Sequence, residues 1–550
     1  MPKDEPHQPD QSEFNVAYLK NDFMSSLVVF LVALPLCIGI AVAVGVSPAR
    51  ALITGIIGGL FVGFLSGSPL QVSGPAAGLF VIVADLLANG QASYLKNPQS
   101  EGLSDISLEA AATNYSLMIL GTSVFIAGLI QVAAGRLKLG QWFRAVSPAV
   151  IKGMLAGIGI LILISQFHVM LDHKAMWHGE KAHGALQYMA TIPEAIMKCF
   201  SSDTSDNHHL AALTGILAIA CFVGWPKVAP KSLKFLPAAL VGIAVATVFA
   251  YVTQLQIRLL EVPENMFSEV TLPNVDWVQL MIHPTVLGGA FVIALVASAE
   301  TLLCATAVDQ LHQGPRTDYD RELSAQGIGN ILCGLVGALP MTGVIVRSSA
   351  NVNSGAKTRL STILHGLWLL IFVAFFPSVL TFIPRSALGA LLVYTGIKLV
   401  NIRDVKKLWN TSHGEAGIYF ATVLTIICTD LLIGVVVGIV LSAVKLLARF
   451  SDFETELTTS EDRKEASLSL KGAATFIALP KLARELERVP NGARLRIDFD
   501  QLTYIDHACL DLIMNWAPQH TNLGGELTLD WDKLQGRFTS KDRAGVTPEP

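Results

Sequence analysis

Fourteen apolar segments follow one another between residues 22 and 448, and this series limits the chain to a small set of folds. Backbone that crosses a bilayer must satisfy its own hydrogen bonds, so such segments fold as helices. Charged residues make up only 15% of the chain, compared with about 25% in soluble domains. We therefore predict an α-helical polytopic membrane protein, with spans near 22–45, 51–67, 71–88, 112–134, 145–167, 209–225, 235–254, 286–307, 323–338, 342–355, 361–378, 385–400, 415–429 and 431–448.

Basic residues in the connecting loops indicate the topology. Lys and Arg follow the even-numbered spans, for example Arg136 and Lys138 after span four and Lys406 and Lys407 after span twelve. Loops rich in these residues stay in the cytoplasm. We expect a transmembrane domain over 22–448 in the cell inner membrane, with a cytoplasmic tail at 1–21 and a cytoplasmic C-terminus.

Two of the segments are interrupted by glycine and proline. Residues 71–87 read QVSGPAAGLFVIVADLL, and residues 337–355 read GALPMTGVIVRSSANVNSG. Because proline is tolerated in the first helical turn, each segment predicts a half-helix that begins inside the membrane. The free N–H groups of such a terminus attract anions. Short interrupted segments in corresponding places of two halves are typical of a transporter binding site.

The interrupted segments are the third and tenth spans, seven places apart. This spacing predicts two repeats of seven spans, at 22–254 and 284–448, and an odd number of spans inverts the second repeat relative to the first. The predicted fold is therefore a 7+7 inverted repeat with its site between the repeats.

Two charged residues lie within these spans. Glu300 is in span eight, where a carboxyl group is costly unless it faces a cavity or a partner. Removal from water favours its protonated form, so Glu300 is a candidate carrier of a coupling proton. Arg347 follows the start of the second half-helix and can add positive charge to an anion site. The alternatives are a structural hydrogen bond for Glu300, and an acidic partner or a cytoplasmic-mouth position for Arg347.

Other recurring residues indicate packing. Four glycines share one face of span two and predict close helix contact, at Gly55, Gly59, Gly63 and Gly67. Six histidines lie between residues 168 and 209 without a metal-ligand spacing, so we expect a solvated outer loop and no metal site. The 7 cysteines show no framework spacing, and the net charge of −4 with no long basic run argues against a nucleic-acid partner.

Soluble sequence follows the last span. Residues 449–466 are rich in charged side chains and predict a linker. Strand-like and helix-like stretches then alternate over 467–545, which predicts a small cytoplasmic α/β domain. No GxSxG, P-loop, HExxH or GxGxxG motif occurs in the required context, so we do not expect an enzyme or a cofactor.

Several motifs together resemble the SulP sulfate-permease family, which is related to animal solute carrier family 26. They are VALPLCIGIAVAVG at 32–45, SGPAAGLFVIV at 73–83, ASAETLLCATAVD at 297–309 and GALPMTGVIVRSSANVNSGAKTR at 337–359, with HGEAG, TDLLIGVVVG and IDHACLDLI in support. The resemblance implies a core and a gate domain, a C-terminal STAS domain and often a homodimer. It also implies an anion site between the starts of helices three and ten, with a contribution from span one, at Pro35, Cys37, Ala76, Ala77, Gly78, Gly343, Val344, Ile345 and Arg347.

The chain departs from the family pattern at a possible cation site. Some bicarbonate carriers of the family hold Na⁺ with an Asp on helix eight, a Thr one turn on and a Thr in helix ten. The corresponding positions here are Glu300, Cys304 and Ile345. A thiol and an alkyl group are poor ligands for a hard cation, which favours proton coupling through Glu300. The predicted STAS domain has Asp506-His507-Ala508 in place of a phosphorylated Ser, so we expect no regulation by phosphorylation there.

We expect a secondary active transporter of an inorganic oxyanion, sulfate or bicarbonate, driven by proton symport with alternating access. The open alternatives are a Na⁺-dependent bicarbonate symporter, a dicarboxylate carrier and, in other classes, an anion channel or a sensory membrane protein. The expected partners are the small anion, a proton or Na⁺, the lipid bilayer, a second copy of the chain and an unidentified STAS ligand.

Overall fold

The computed structural model describes residues 18–95, 105–143, 147–177, 180–181, 185–200, 207–230, 233, 235–263, 265–273, 275–314, 316–429, 431–450 and 453–529. The chain divides into two compact units between residues 439 and 440. Each unit has an apolar core of its own.

Helices occupy all seven spans predicted for the first repeat. In chain order the elements are α1 (Leu19–Val44), α2 (Pro48–Ile57), a π-helical turn (Gly58–Val62), α3 (Gly63–Leu65), β1 (Ser73–Pro75), a 3₁₀ turn (Ala77–Leu79), α4 (Phe80–Leu95), α5 (Asp105–Arg136), α6 (Gly140–Phe143), α7 (Pro148–Met170), β2 (Met176–Trp177), β3 (Glu180–Lys181), α8 (Ala185–Phe200), α9 (His208–Val228) and α10 (Ala238–Val252).

The second predicted repeat is also helical in each of its spans. A 3₁₀ turn (Met266–Glu269) precedes it, and a second one (Pro377–Phe382) lies within it. Its other elements are α11 (Val275–Leu280), α12 (Pro284–Asp309), α13 (Tyr319–Leu335), β4 (Met341–Gly343), α14 (Ile345–Asn353), α15 (Leu360–Phe375), α16 (Arg385–Leu399), α17 (Ile402–Thr411), α18 (His413–Cys428) and α19 (Leu431–Phe450).

Six of the described helices are long and apolar enough to cross a membrane, and five further apolar helices have 10–17 residues. Helices α4 and α14 are short because the interrupted spans begin with strands β1 and β4 instead of a helical turn. The number of crossings, fourteen, stays a prediction.

The helices of the first unit pack as two bundles. One bundle includes α1, α2, α4, α5 and α12 to α15, where α5 packs against α4 and α13, and α1 packs against α15. The other includes α7, α9, α16 and α18, where α7 packs against both α16 and α18. This grouping is the structural counterpart of the predicted core and gate domains.

The glycine face of span two permits close contacts, as predicted. A β-carbon on Gly59 would lie 2.5 Å from the Gly366 Cα, and one on Gly58 would lie 2.5 Å from the Ser73 carbonyl oxygen. Gly55 and Gly63 are similarly crowded by α15, and Gly67 by the Asp318 carbonyl. The span therefore packs directly against α15 and β1.

The outer segment around the histidines differs from the expected solvated loop. Residues 185–200 form α8, and both His168 and His173 are buried beside it. His168 contacts the Thr191 hydroxyl, 3.0 Å away. The prediction was wrong because the burial comes from a helix whose apolar face was not recognised. The described residues hold no group of three potential metal-ligating His, Cys, Asp or Glu side chains.

The C-terminal unit contains a four-stranded sheet of order β5-β6-β7-β8, with β5 and β6 antiparallel and the other pairs parallel. Its elements are β5 (Phe453–Thr459), β6 (Glu465–Ala474), a 3₁₀ turn (Phe476–Ala478), α20 (Leu479–Glu487), β7 (Arg494–Ile505), α21 (His507–Asn522) and β8 (Glu526–Leu529). This is the small α/β domain that the sequence predicts.

The prediction of a linker at 449–466 was wrong in part, because strand β5 occupies residues Phe453–Thr459 and β6 begins at Glu465. Phe453 is buried and Leu457 is half-buried, while Glu454 and Glu456 between them are exposed. Such alternation places one face of a strand against the core. The high charge of the segment belongs to its solvent face.

Candidate functional site

The two interrupted segments meet in a short antiparallel strand pair. Ser73 of β1 pairs with Gly343 of β4, and Pro75 pairs with Met341. The Val344 N–H donates to the Val72 carbonyl, 2.9 Å away. The strands satisfy backbone groups that lipid would leave unpaired, so the chain can start two half-helices inside the membrane-spanning unit. The starts of the third and tenth spans therefore lie side by side, and the anion site expected between them stays a prediction.

A cavity of about 180 Å³ lies beside this crossing. Both helix bundles contribute to its walls, which are mostly apolar. Its lining residues are Leu36, Ile40, Pro75, Ala76, Gly78, Leu155, Ile158, Glu300, Leu303, Cys304, Ala307, Thr342, Gly343, Val344, Ile345, Val346, Arg347, Thr395 and Leu399.

Arg347 supplies the positive charge of the cavity wall. Its side chain is fully buried, and its Nη2 donates to the Cys37 sulfur at 3.3 Å and to the Pro75 carbonyl at 3.4 Å. Nε and Nη1 have no hydrogen-bond partner within the described ranges, and no described carboxylate forms an ion pair with this residue. Gly74 makes room for the guanidinium, because a β-carbon there would collide with Nη1. A buried charge with free donors is costly until an anion satisfies it.

Glu300, on α12, packs against the start of the first half-helix. The Thr342 hydroxyl donates to its Oε2 at 3.3 Å. A β-carbon on Gly78 would lie 2.8 Å from Oε2, so the carboxyl group rests directly on the backbone of the 3₁₀ turn that leads into α4. The N–H groups of a helix start favour negative charge. Glu300 therefore occupies part of the predicted anion cradle.

Most of the predicted site residues lie around this cavity. Ala76, Gly78, Gly343, Val344, Ile345 and Arg347 line it, and so do Glu300 and Cys304. Ala77 belongs to the 3₁₀ turn, and Cys37 contacts Arg347 without lining the cavity. Pro35 is buried within α1 and does not line it.

The sequence patterns did not predict the cavity walls that come from the bundle of α7, α9, α16 and α18. Leu155 and Ile158 come from α7, and Thr395 and Leu399 come from α16. Neither helix gathers its few polar residues on one face, so the sequence carries no signal of which face is turned to a cavity. Thr342 was also missed, although it directly precedes the predicted residues Gly343 to Ile345.

The three positions compared with a Na⁺ site, Glu300, Cys304 and Ile345, have different contact partners. Cys304 contacts the Ser348 hydroxyl at 3.5 Å, and Ile345 is partly exposed. The oxygen atom beside Glu300 comes from Thr342 instead. The hydroxyl of Thr301 accepts the Gly343 N–H at 3.0 Å. The side-chain oxygen in contact with the Glu300 carboxyl group therefore comes from Thr342.

Known proteins share this fold. The fold matches the transmembrane domain of the cyanobacterial bicarbonate transporter BicA with a TM-score of 0.62 and 22% identity, covering 78% of this chain and 99% of that one. It matches murine Slc26a9, an anion transporter in the inward-facing state, with a TM-score of 0.75 and 16% identity over 94% of this chain and 86% of that one.

Sequence relatives agree. The bicarbonate transporter BicA of Picosynechococcus sp. is 25% identical over 518 residues, which cover 88% of this chain and 84% of the relative. High affinity sulfate transporter 2 of Stylosanthes hamata is 21% identical over 92% of this chain and 72% of the relative. These relatives are transporters, in line with the expectation of a non-enzyme. The sulfate permease family model matches residues 19–422. The chain therefore belongs to the sulfate permease family and is a multi-pass membrane anion transporter.

Proposed function

We propose that the chain is a secondary active transporter that carries a small inorganic oxyanion, sulfate or bicarbonate, together with a proton. The observation that carries this proposal is the buried Arg347, whose Nε and Nη1 have no partner in the described structure. Guanidinium binds oxyanions through paired N–H groups, so an anion in the cavity would complete its hydrogen bonds. The proposed binding set is Ala76, Ala77, Gly78, Gly343, Val344, Ile345 and Arg347, extended by Thr342. Cys37 contributes only through its contact with Arg347, and Pro35, which does not line the cavity, is left out of the set.

Glu300 is the proposed coupling group. Its carboxyl group and Arg347 line the same cavity. The charge on Glu300 therefore alters the affinity of Arg347 for an anion, and a bound anion alters the affinity of Glu300 for a proton. A protonated Glu300 leaves the positive charge of Arg347 for the anion, whereas an ionised Glu300 repels it. Proton and anion therefore bind best together, which is the requirement for symport.

Alternating access follows from the two bundles. The half-helix starts belong to one bundle, and the opposite wall belongs to α7 and α16 of the other. Movement of one bundle against the other would expose the same cavity first to one side of the membrane and then to the other. Homodimer formation, an inner-membrane location with cytoplasmic termini and a STAS role for the C-terminal domain are parts of the same proposal.

A Na⁺-dependent bicarbonate symporter is the second candidate. The relative BicA is named a bicarbonate transporter, and Thr342 places a hydroxyl oxygen beside Glu300. Oxygen ligands suit a hard cation, so this contact weakens the earlier argument from Cys304 and Ile345.

Uptake into proteoliposomes separates these candidates. Labelled sulfate, bicarbonate and succinate are each supplied with an inward proton gradient and then with an inward Na⁺ gradient, choline replacing Na⁺ in the control. Uptake of sulfate or bicarbonate driven by protons alone is the expected result, and succinate uptake would indicate a dicarboxylate carrier. A strict need for Na⁺ would refute proton coupling. A current that is linear with voltage and far exceeds carrier turnover would indicate a channel.

A further inference from the structure

A second carboxyl group, that of Glu322, is buried beside the strand crossing and has no part in the proposed transport step. It lies in the first turn of α13 and is completely shielded from solvent. Its position is behind the crossing, since its contacts reach the loop before β1 and the side of β1, not the cavity lining.

The carboxyl oxygens of Glu322 are surrounded by donors. Oε1 accepts from the Nε2 groups of Gln71 and Gln326, each at 3.0 Å. Oε2 accepts from the Ser68 N–H at 3.0 Å and from the Ser66 hydroxyl at 2.5 Å. An ionised carboxylate is purely an acceptor, and this arrangement satisfies both of its oxygens.

Both glutamines give their N–H groups to Glu322 although this leaves their own carbonyl oxygens unsatisfied. Gln71 Oε1 and Gln326 Oε1 are buried and have no hydrogen-bond partner in the part of the chain that the structure describes. Unsatisfied buried acceptors carry an energetic cost. The carboxylate therefore fixes the orientation of both amide groups.

The two glutamines converge on one pair of residues in the crossing. Gln326 Nε2 also donates to the Ser73 hydroxyl. Gln71 lies against Gly343, where a β-carbon would be 2.6 Å from the Gln71 Cδ. Ser73 and Gly343 are the directly paired residues of β1 and β4. A chain of contacts thus runs from one carboxylate through two amides to both strands that start the half-helices.

We propose that Glu322 is a positioning residue of the anion site, acting through Gln71 and Gln326 to set the register of β1 against β4. Its effect on anion affinity rests on the proposed function, because the half-helix starts are the proposed binding groups. Its effect on the strand crossing itself does not.

The test compares Glu322→Gln with wild type in the full chain. The substitution keeps the size of the side chain but turns an N–H group toward donors. We expect KM for the transported anion to rise roughly 10-fold or more at equal amounts of folded protein, because hydrogen bonds to a charged group are lost. The maximal rate should change less than KM, and the dependence of uptake on the proton gradient should persist.

Asp22→Asn is the matched control. Asp22 is also fully buried and accepts three hydrogen bonds, from the N–H groups of Lys357 and Thr358 and from the Thr358 hydroxyl. It does not contact the crossing. We expect this variant to lose thermal stability while its KM stays at the wild-type value.

Hydrogen–deuterium exchange gives a readout that does not depend on transport. In Glu322→Gln, the amides of residues 71–79 and 341–347 should exchange faster than in wild type, and in Asp22→Asn they should not. Gln71→Leu should produce the same change and carries the test if Glu322→Gln does not fold. Unchanged exchange at the crossing in the folded variants would overturn the inference. If exchange is faster in Glu322→Gln but the wild-type chain takes up no anion, the inference about the crossing stands and the result counts against the proposed function alone.

Discussion

Arg347 and Glu300 line the same cavity but do not pair with each other within the described structure. Arg347 donates to a sulfur and a carbonyl, and Glu300 accepts from one hydroxyl. Direct pairing would neutralise the guanidinium and remove its attraction for a substrate. In the proposed function, the separation of these two groups leaves Arg347 for the anion and Glu300 for the proton.

Removing the charge of Arg347 tests its role in anion binding. Arg347→Gln should lower kcat/KM for uptake by about 10- to 100-fold, the loss expected when hydrogen bonds to a charged group disappear. Arg347→Lys keeps the positive charge but loses the planar guanidinium, so its kcat/KM should lie between those of wild type and Arg347→Gln. Initial rates in proteoliposomes with equal amounts of folded protein provide the measurement. Wild-type kcat/KM in Arg347→Gln would contradict the assignment.

Glu300→Gln tests the coupling role. The amide has nearly the same shape but cannot release a proton, so uptake should become independent of an imposed proton gradient. Asp309→Asn is the control, because Asp309 is a buried acid on the same helix that binds Thr317 and lies outside the cavity lining. Uptake by that variant should still follow the gradient. A gradient response that survives in Glu300→Gln would refute the role of this residue.

At the scale of elements, the site depends on how closely span two approaches β1. The π-helical turn places Gly58 where any β-carbon would meet the Ser73 carbonyl. Backbone cannot move aside as a flexible side chain can, so Gly58→Ala should destabilise the protein by about 1–3 kcal/mol and shift the start of the first half-helix. Gly288→Ala is the control, since a β-carbon there would have no atom of the described residues within 4 Å. Thermal midpoints that are equal in the two variants would argue against this packing.

The first turn of α21 provides a test in the C-terminal unit. A thiol near a helix start usually has a lowered pKa. Here burial, helped by the nearby Asp506, raises the pKa of the Cys509 thiol to about 12. The sulfur also donates to the Thr475 carbonyl at 3.1 Å. We expect no alkylation of Cys509 by iodoacetamide at pH 8 in the folded chain, and rapid alkylation in urea, as read by peptide mass spectrometry. Modification of the folded chain would show that this packing is wrong.

At the scale of the whole molecule, the sequence was enough to predict the helical membrane fold, the two half-helices and the C-terminal α/β domain, while the two repeats of seven spans stay a prediction. These features depend on local signals: apolar length, the Gly-Pro interruptions and the alternation of strands and helices. The contacts of Arg347 with Cys37 and Pro75 could not be predicted from the sequence, because these residues come from three segments that are far apart along the chain. The wall residues Leu155 and Thr395 were missed because neither of their helices gathers its polar residues on one face.

The central claim is that one proton enters with each anion through Glu300. The most direct measurement follows the internal pH of proteoliposomes that enclose a pH-sensitive dye and receive external sulfate without an imposed proton gradient. The account predicts acidification of the interior that parallels labelled sulfate uptake with wild type and is absent with Glu300→Gln. Sulfate uptake by wild type without acidification would contradict it.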